Sequence, residues 1–173
     1  MVETNKGKKL LLIVDMQTGY KFNVPQKITD RIKKLTSTMP TANLFYVNNG
    51  DTPVVKAFNW RYLMRGESEV LPEFKAFTTF EKSTYNGHTK ELEQYLQTQG
   101  ITDIYLCGIY TEACVLATAF NLFDNGYRVH LIKDCCWSPH KTLHKAAMKV
   151  MWYAIGGMYF TESNMMLNRE GKK

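Results

Sequence analysis

The run "LCGIYTEACVLATAFNLFDNG", Leu106–Gly126, decides how the rest of the chain is read. It opens as a short apolar strand and passes through Gly108 and Thr111. It then becomes a helix-like stretch over Ala113–Asn125 that stops at Gly126, a left-handed cap. Cys114 falls at the start of that helix. A free cysteine there can be a small buried hydrophobe. It can also be a nucleophile, because Thr111 as N-cap would put Cys114 in the first turn, where unpaired N–H groups and the helix dipole stabilise a thiolate.

Working outward, the same alternation repeats. Lys9–Val14 is a continuous apolar run ending at Asp15, as in a strand buried on both faces, and Pro25 opens a helix reaching about Met39 with Ile28, Ile32 and Leu35 on one face. Asn43–Val47 reads as a second strand and Phe77–Phe80 as a third ending near Lys82. A helix over Lys90–Thr98 leads through Gly100 to a fourth strand, Ile104–Cys107. Tyr127–Ile132 is the fifth strand, Pro139 to about Tyr153 a helix, and Met158–Phe160 the sixth strand. Strands alternating with helices predict an α/β fold with a parallel sheet covered on both faces.

Composition narrows the classes. With 173 residues, 45% hydrophobic and 22% charged, the chain reads as one globular domain, residues 1–173, with enough apolar content for a core. No apolar run approaches the roughly 20 residues of a membrane span, and no signal peptide is read at the N-terminus, so the expectation is a soluble cytoplasmic protein with no membrane partner. The formal charge of +6 is scattered rather than gathered into a stripe with aromatics, which argues against nucleic acid and leaves a bias toward anionic small molecules. Cys107, Cys114, Cys135 and Cys136 lack paired metal spacing and disulfide density, so reduced thiols are expected, with Cys107, Cys135 and Cys136 assigned to packing.

In open α/β sheets ligands bind beyond the carboxyl ends of the strands. Asp15 follows the first strand, Lys82 the third and Cys114 the fourth, so three distant residues should meet at one edge. Together they supply a thiol, a carboxylate to take its proton and a cation to hold the charges.

In order and spacing, "LLIVDMQTGY" (Leu11–Tyr20), "FEKSTYNGH" (Phe80–His88) and "GIYTEACVLATAFNLFDNGYRVHLIKDCCWS" (Gly108–Ser138) resemble the three signature segments of the isochorismatase-like cysteine hydrolase family. The resemblance runs from about Lys9 to Phe160. It implies a doubly wound, Rossmann-like three-layer α/β/α fold with a six-stranded, mostly parallel sheet, and an Asp15–Lys82–Cys114 triad. It further implies a cis peptide between Ile109 and Tyr110, an oxyanion hole from the Tyr110 and Cys114 amides, and Tyr20 lining a pocket. The activity implied is hydrolysis of a small amide or carbamoyl-type C–N bond through a thioester, with no cofactor. Two other classes stay open: a catalytically silent binding or scaffold protein with this fold, and a vinyl-ether hydrolase of the isochorismate type. The latter branch works without the cysteine, so Cys114 points to amide chemistry.

Metal-binding nicotinamidases of the family carry an Asp-x-His segment after the second strand. The matching stretch here, "YVNNGDTPVVKAFNWRYLMRGESEVLPEF" (Tyr46–Phe74), holds Asp51 and no histidine, so no metal site is assigned. His140 and His144 have i, i+4 spacing without a third ligand, and His88 stands alone in a loop. Phe58, Trp60 and Tyr62 read equally as a pocket wall, a subunit contact or a small satellite core; Trp60 and Tyr62 are taken as substrate-binding candidates with Tyr20. The helices over Ala113–Asn125 and Lys141–Tyr153 are apolar around more than one stripe, which predicts a homo-oligomer with the second helix in the contact.

Overall fold

The structure, a computed structural model, describes residues 7–20, 22–50, 56, 57 and 63–170. Strands β1 (Lys8–Val14), β2 (Thr41–Tyr46), β3 (Thr78–Lys82), β4 (Ile101–Ile109), β5 (Arg128–Trp137) and β6 (Phe160–Thr161) form one sheet in the order β3-β2-β1-β4-β5-β6, every neighbouring pair parallel. The helices whose bounds are described are α1 (Gln26–Leu35), α2 (Lys90–Gln99), α3 (Leu116–Asp124), α4 (Lys141–Ile155) and α5 (Ser163–Glu170).

Continuous apolar strands demand cover on both faces, and the core divides accordingly. Leu10, Leu12 and Val14 of β1 pack with Leu92 and Leu96 of α2, Ala119 and Leu122 of α3, and Met151 and Ile155 of α4. Leu11 and Ile13, pointing the other way, pack with Ile28, Ile32 and Leu35 of α1 and Met166 of α5. The result is the expected three-layer, doubly wound α/β fold. Cys135 and Cys136 alternate between the two faces, and Cys107 joins the first of them, so all three are buried free thiols. Burial pushes each of these thiols upward in pKa.

Several boundaries differ from the sequence reading. The fourth strand runs to Ile109 rather than Cys107, and the fifth to Trp137 rather than Ile132. The first helix ends at Leu35, where hydroxyls of Thr36, Ser37 and Thr38 fold back onto main-chain carbonyls. A 3₁₀ turn, Gly157–Tyr159, occupies most of the predicted sixth strand. Helix α5 was not anticipated; the Ser163 N–H and hydroxyl both donate to the Asp134 carboxylate at its start. Among the described residues no helix is long and apolar enough to cross a membrane.

Strand order reverses at the β1/β4 junction, which is where a doubly wound sheet opens a crevice at its carboxyl edge. Residues 63–71 lie across that edge: Asn48 N–H donates to Leu63 O at 2.8 Å, Thr18 N–H to Glu69 O at 2.8 Å and Leu71 N–H to Met16 O at 3.0 Å.

Candidate active site

Asp15 is the first residue beyond β1. Its N–H donates to Leu44 O of β2 at 3.0 Å, and its φ of 52° turns the chain sharply off the strand. The turn is possible because Gly108, the register partner of Val14, leaves space: a Cβ on Gly108 would lie 2.1 Å from Val14 O and 2.7 Å from Val14 N, and its φ is 120°. Lys82 closes β3 and reaches across the end of β2. Its ammonium lies 2.8 Å from Asp15 Oδ2, with both side chains fully buried, and donates to Thr84 O at 3.1 Å.

Cys114 arrives from β4 through a turn unlike the one expected. The Ile109–Tyr110 peptide is cis, as the resemblance implied. Thr111–Val115 then forms a π-helical turn, in which Val115 N–H donates to Tyr110 O at 3.2 Å, and the regular helix begins only at Leu116. Thr111 is therefore not a side-chain N-cap. It is fully buried, and its hydroxyl pairs with His144 Nδ1 of α4 at 2.8 Å. The next residue is tied to the same region, for Ser138 Oγ donates to Glu112 Oε1 at 2.6 Å.

Asp15, Lys82 and Cys114 thus meet at the sheet edge, and the Cys114 thiol interacts with both charged partners. Burial pushes that thiol well up in pKa and the Asp15 carboxylate pushes it further, outweighing the opposing pull of Lys82. The stabilisation of a thiolate expected from the helix start is therefore outweighed by burial and by the facing Asp15, which favour the thiol form of Cys114. Burial alone would lower Lys82, yet Asp15 and Cys114 hold it above its ordinary value. Proton transfer from thiol to carboxylate creates no net charge in this buried site, because the ammonium offsets the negative charge wherever it sits.

Tyr20 packs edge-on against Tyr110, ring centroids 5.2 Å apart, and Tyr110 leans on Trp137 at 6.2 Å. Phe58, Trp60, Tyr62 and Asp51 lie outside the described residues. His88 spends Nδ1 on Asn121 Oδ1 at 2.8 Å and Nε2 on Glu93 Oε2 at 2.5 Å, bridging α2 and α3. Among the described residues no group of three or more His, Cys, Asp or Glu side chains could hold a metal ion. Sequence reasoning missed Tyr46, whose ring lies 4.9 Å beneath the Lys82 ammonium. It was read as the interior of a strand ending at Val47, whereas it is the last residue of β2, at the same edge that singled out the other three.

Comparison with known proteins places the fold in a family. The Isochorismatase domain model matches residues 9–161, which hold Asp15, Lys82, Cys114 and the cis peptide. The chain is 28% identical over 166 residues to isochorismatase family protein 2A of Dictyostelium discoideum, covering 91% of this chain and 79% of that one. In fold it is similar to an isochorismatase-like hydrolase from Alkaliphilus metalliredigens, with a TM-score of 0.81, 16% identity, and coverage of 94% and 99%. It is also similar to N-carbamoylsarcosine amidase from Thermoplasma acidophilum, with a TM-score of 0.74, 21% identity, and coverage of 90% and 96%. With the domain match spanning nearly the whole sheet and the relatives sharing its architecture, the chain belongs to the isochorismatase family of hydrolases.

Proposed function

We propose that this protein hydrolyses a small amide or carbamoyl-type substrate through a thioester on Cys114, with Asp15 and Lys82 completing a catalytic triad. One observation carries the reading: a lysine and an aspartate paired at 2.8 Å, both fully buried, interact with a cysteine thiol. Burying two charges costs several kcal/mol per ion before their attraction offsets it, and a scaffold has no use for a thiol placed against them. The similarity in fold to N-carbamoylsarcosine amidase agrees with C–N bond chemistry.

In this reading Asp15 takes the Cys114 proton as the sulfur attacks the substrate carbonyl, so the thiolate exists only as it reacts. The Tyr110 and Cys114 amides receive the developing oxyanion, where losing one donor typically costs about a hundredfold or more. Asp15 then hands the proton to the departing nitrogen, the C–N bond breaks, and the acyl group remains on sulfur. Asp15 next draws a proton from water, which attacks the thioester, and the thiol is regenerated. Lys82 holds Asp15 in place and keeps the site electroneutral throughout. Tyr20, through its contact with Tyr110, borders the acyl side of the pocket.

The working unit is a homo-oligomer, at least a dimer. Helix α4 leaves Leu143, Val150, Trp152 and Tyr153 at least half exposed, an apolar surface that a second copy would cover. Light scattering at working concentration should give a mass above that of one chain, and full activity at the single-chain mass would refute this part. The decisive assay is ammonia release across a panel of small amides, ureido and carbamoyl compounds, with Cys114→Ala as the control. Release that persists in the variant, or none from any compound, would overturn the reading.

A further inference from the structure

We infer that Tyr46 is a positioning residue for Lys82, its ring face fixing the ammonium over Asp15 and Cys114. The inference rests on the triad reading above. Lys82 belongs to β3 and Asp15 follows β1, so β2 stands between them and the lysine side chain must cross its end. Tyr46 is the last residue of β2 and the register partner of Lys82.

The ammonium has two placed polar partners, Asp15 Oδ2 at 2.8 Å and Thr84 O, which accepts at 3.1 Å, and Cys114 is within electrostatic reach of it. The Tyr46 ring centroid, 4.9 Å from Nζ, supplies the charge on a remaining side with a π face. A lysine is a flexible four-carbon stem, and a ring in this place removes the rotamers that would carry the charge away from the sulfur.

The ring is itself held by its main chain. Gln17 grips Tyr46 at both ends, its Oε1 accepting Tyr46 N–H at 2.9 Å and its Nε2 donating to Tyr46 O at 2.9 Å. The same Nε2 donates to Ser68 Oγ at 2.7 Å, which ties the clamp to residues 63–71. Asp15 and Gln17 lie two residues apart in "DMQ", so one short turn places both the triad carboxylate and the support for the ring beneath its lysine partner.

The test measures the site with and without substrate. Iodoacetamide alkylation of Cys114, followed by peptide mass spectrometry, needs no substrate; kcat and KM are read on an amide from the ammonia-release panel. Tyr46→Leu should lower both the alkylation rate constant and kcat by about tenfold, with KM little changed, whereas Tyr46→Phe, which keeps the ring, should stay within about twofold of wild type. Tyr46→Met serves the same comparison where Tyr46→Leu does not fold. Wild-type behaviour in the aliphatic variants would overturn the inference. So would a loss in Tyr46→Phe as large as in Tyr46→Leu, which would assign the role to the hydroxyl. Lys82→Met separates this failure from that of the triad: slow alkylation there with silent Tyr46 variants removes only the ring's role, while wild-type alkylation there removes the triad reading and this inference with it.

Discussion

Replacing Lys82 by Met keeps the length and volume of the side chain and deletes its charge. What remains is Asp15, fully buried and deprived of the ammonium at 2.8 Å. At that separation and an effective dielectric of 20 the attraction lost is about 6 kcal/mol in gross terms. Desolvation of the lysine is avoided in the variant, so the net cost is the smaller figure typical of breaking a buried pair, about 3–5 kcal/mol. Against a total stability of roughly 5–15 kcal/mol this is large, and for a chain of this size it lowers Tm by about 6–20 °C. The loss should depend on pH in a definite direction. An unpaired buried carboxyl titrates higher in the folded state than in the unfolded chain, so the variant regains stability as falling pH protonates it. Asp15→Asn combined with Lys82→Met should recover most of the stability at pH 7 and none of the activity. Scanning calorimetry at pH 7 and pH 5 on wild type, both single variants and the double variant reads all of this. A Lys82→Met protein as stable as wild type at pH 7, or a double variant no better than the single one, would refute the reasoning.

Three further outcomes follow from the geometry. Cys114→Ala and Asp15→Asn should each lower turnover by about 10⁴-fold or more while circular dichroism shows an intact fold; near-wild-type kcat in either would remove that residue from the chemistry. Gly108→Ala should cost about 3 kcal/mol or more, because its Cβ meets Val14 O at 2.1 Å in a backbone with φ of 120°, and a thermal melt matching wild type would contradict the packing described. At the opposite end of the sheet, burial pushes Asp103 upward but hydrogen bonds from Arg128, His130 and Thr102 hold it down at about 2. A depressed carboxyl stabilises above its unfolded value and loses that contribution as pH falls from about 4 through about 2. With Arg128 about half exposed, screening leaves about 1–2 kcal/mol, so Asp103→Asn should be less stable by about that amount at pH 7, with most of the difference gone at pH 2, as urea melts at the two pH values will show.

How much of this was legible in the sequence depends on the range over which each feature is determined. The α/β architecture and the meeting of Asp15, Lys82 and Cys114 followed from apolar strands each ending in a polar residue, a pattern that local sequence carries. The extension of β4 to Ile109 did not, since the apolar run that marks the strand stops at Cys107. Gly108 is in fact the residue that lets β4 continue beside β1 where Val14 turns away. The π-helical turn was equally hidden, because a helical period of 3.6 does not announce an extra residue. The partner that takes the Thr111 hydroxyl away from capping is His144, thirty-three positions along the chain. The environment of Cys114 is non-local for a related reason: a helix start favours a thiolate locally, but burial and a facing carboxylate, both products of tertiary packing, outweigh it.

The central claim is that an acyl group rides on Cys114 during turnover. The direct measurement is intact-mass spectrometry of the enzyme acid-quenched at millisecond to second intervals within a single turnover of an amide from the panel, with peptide mapping of any adduct. The account predicts a mass increment equal to the acyl half of the substrate, located on Cys114, rising and then falling as the acid product appears, and absent in Cys114→Ala. A chain that stays unmodified throughout a productive single turnover, or an adduct that maps to any other residue, would contradict it.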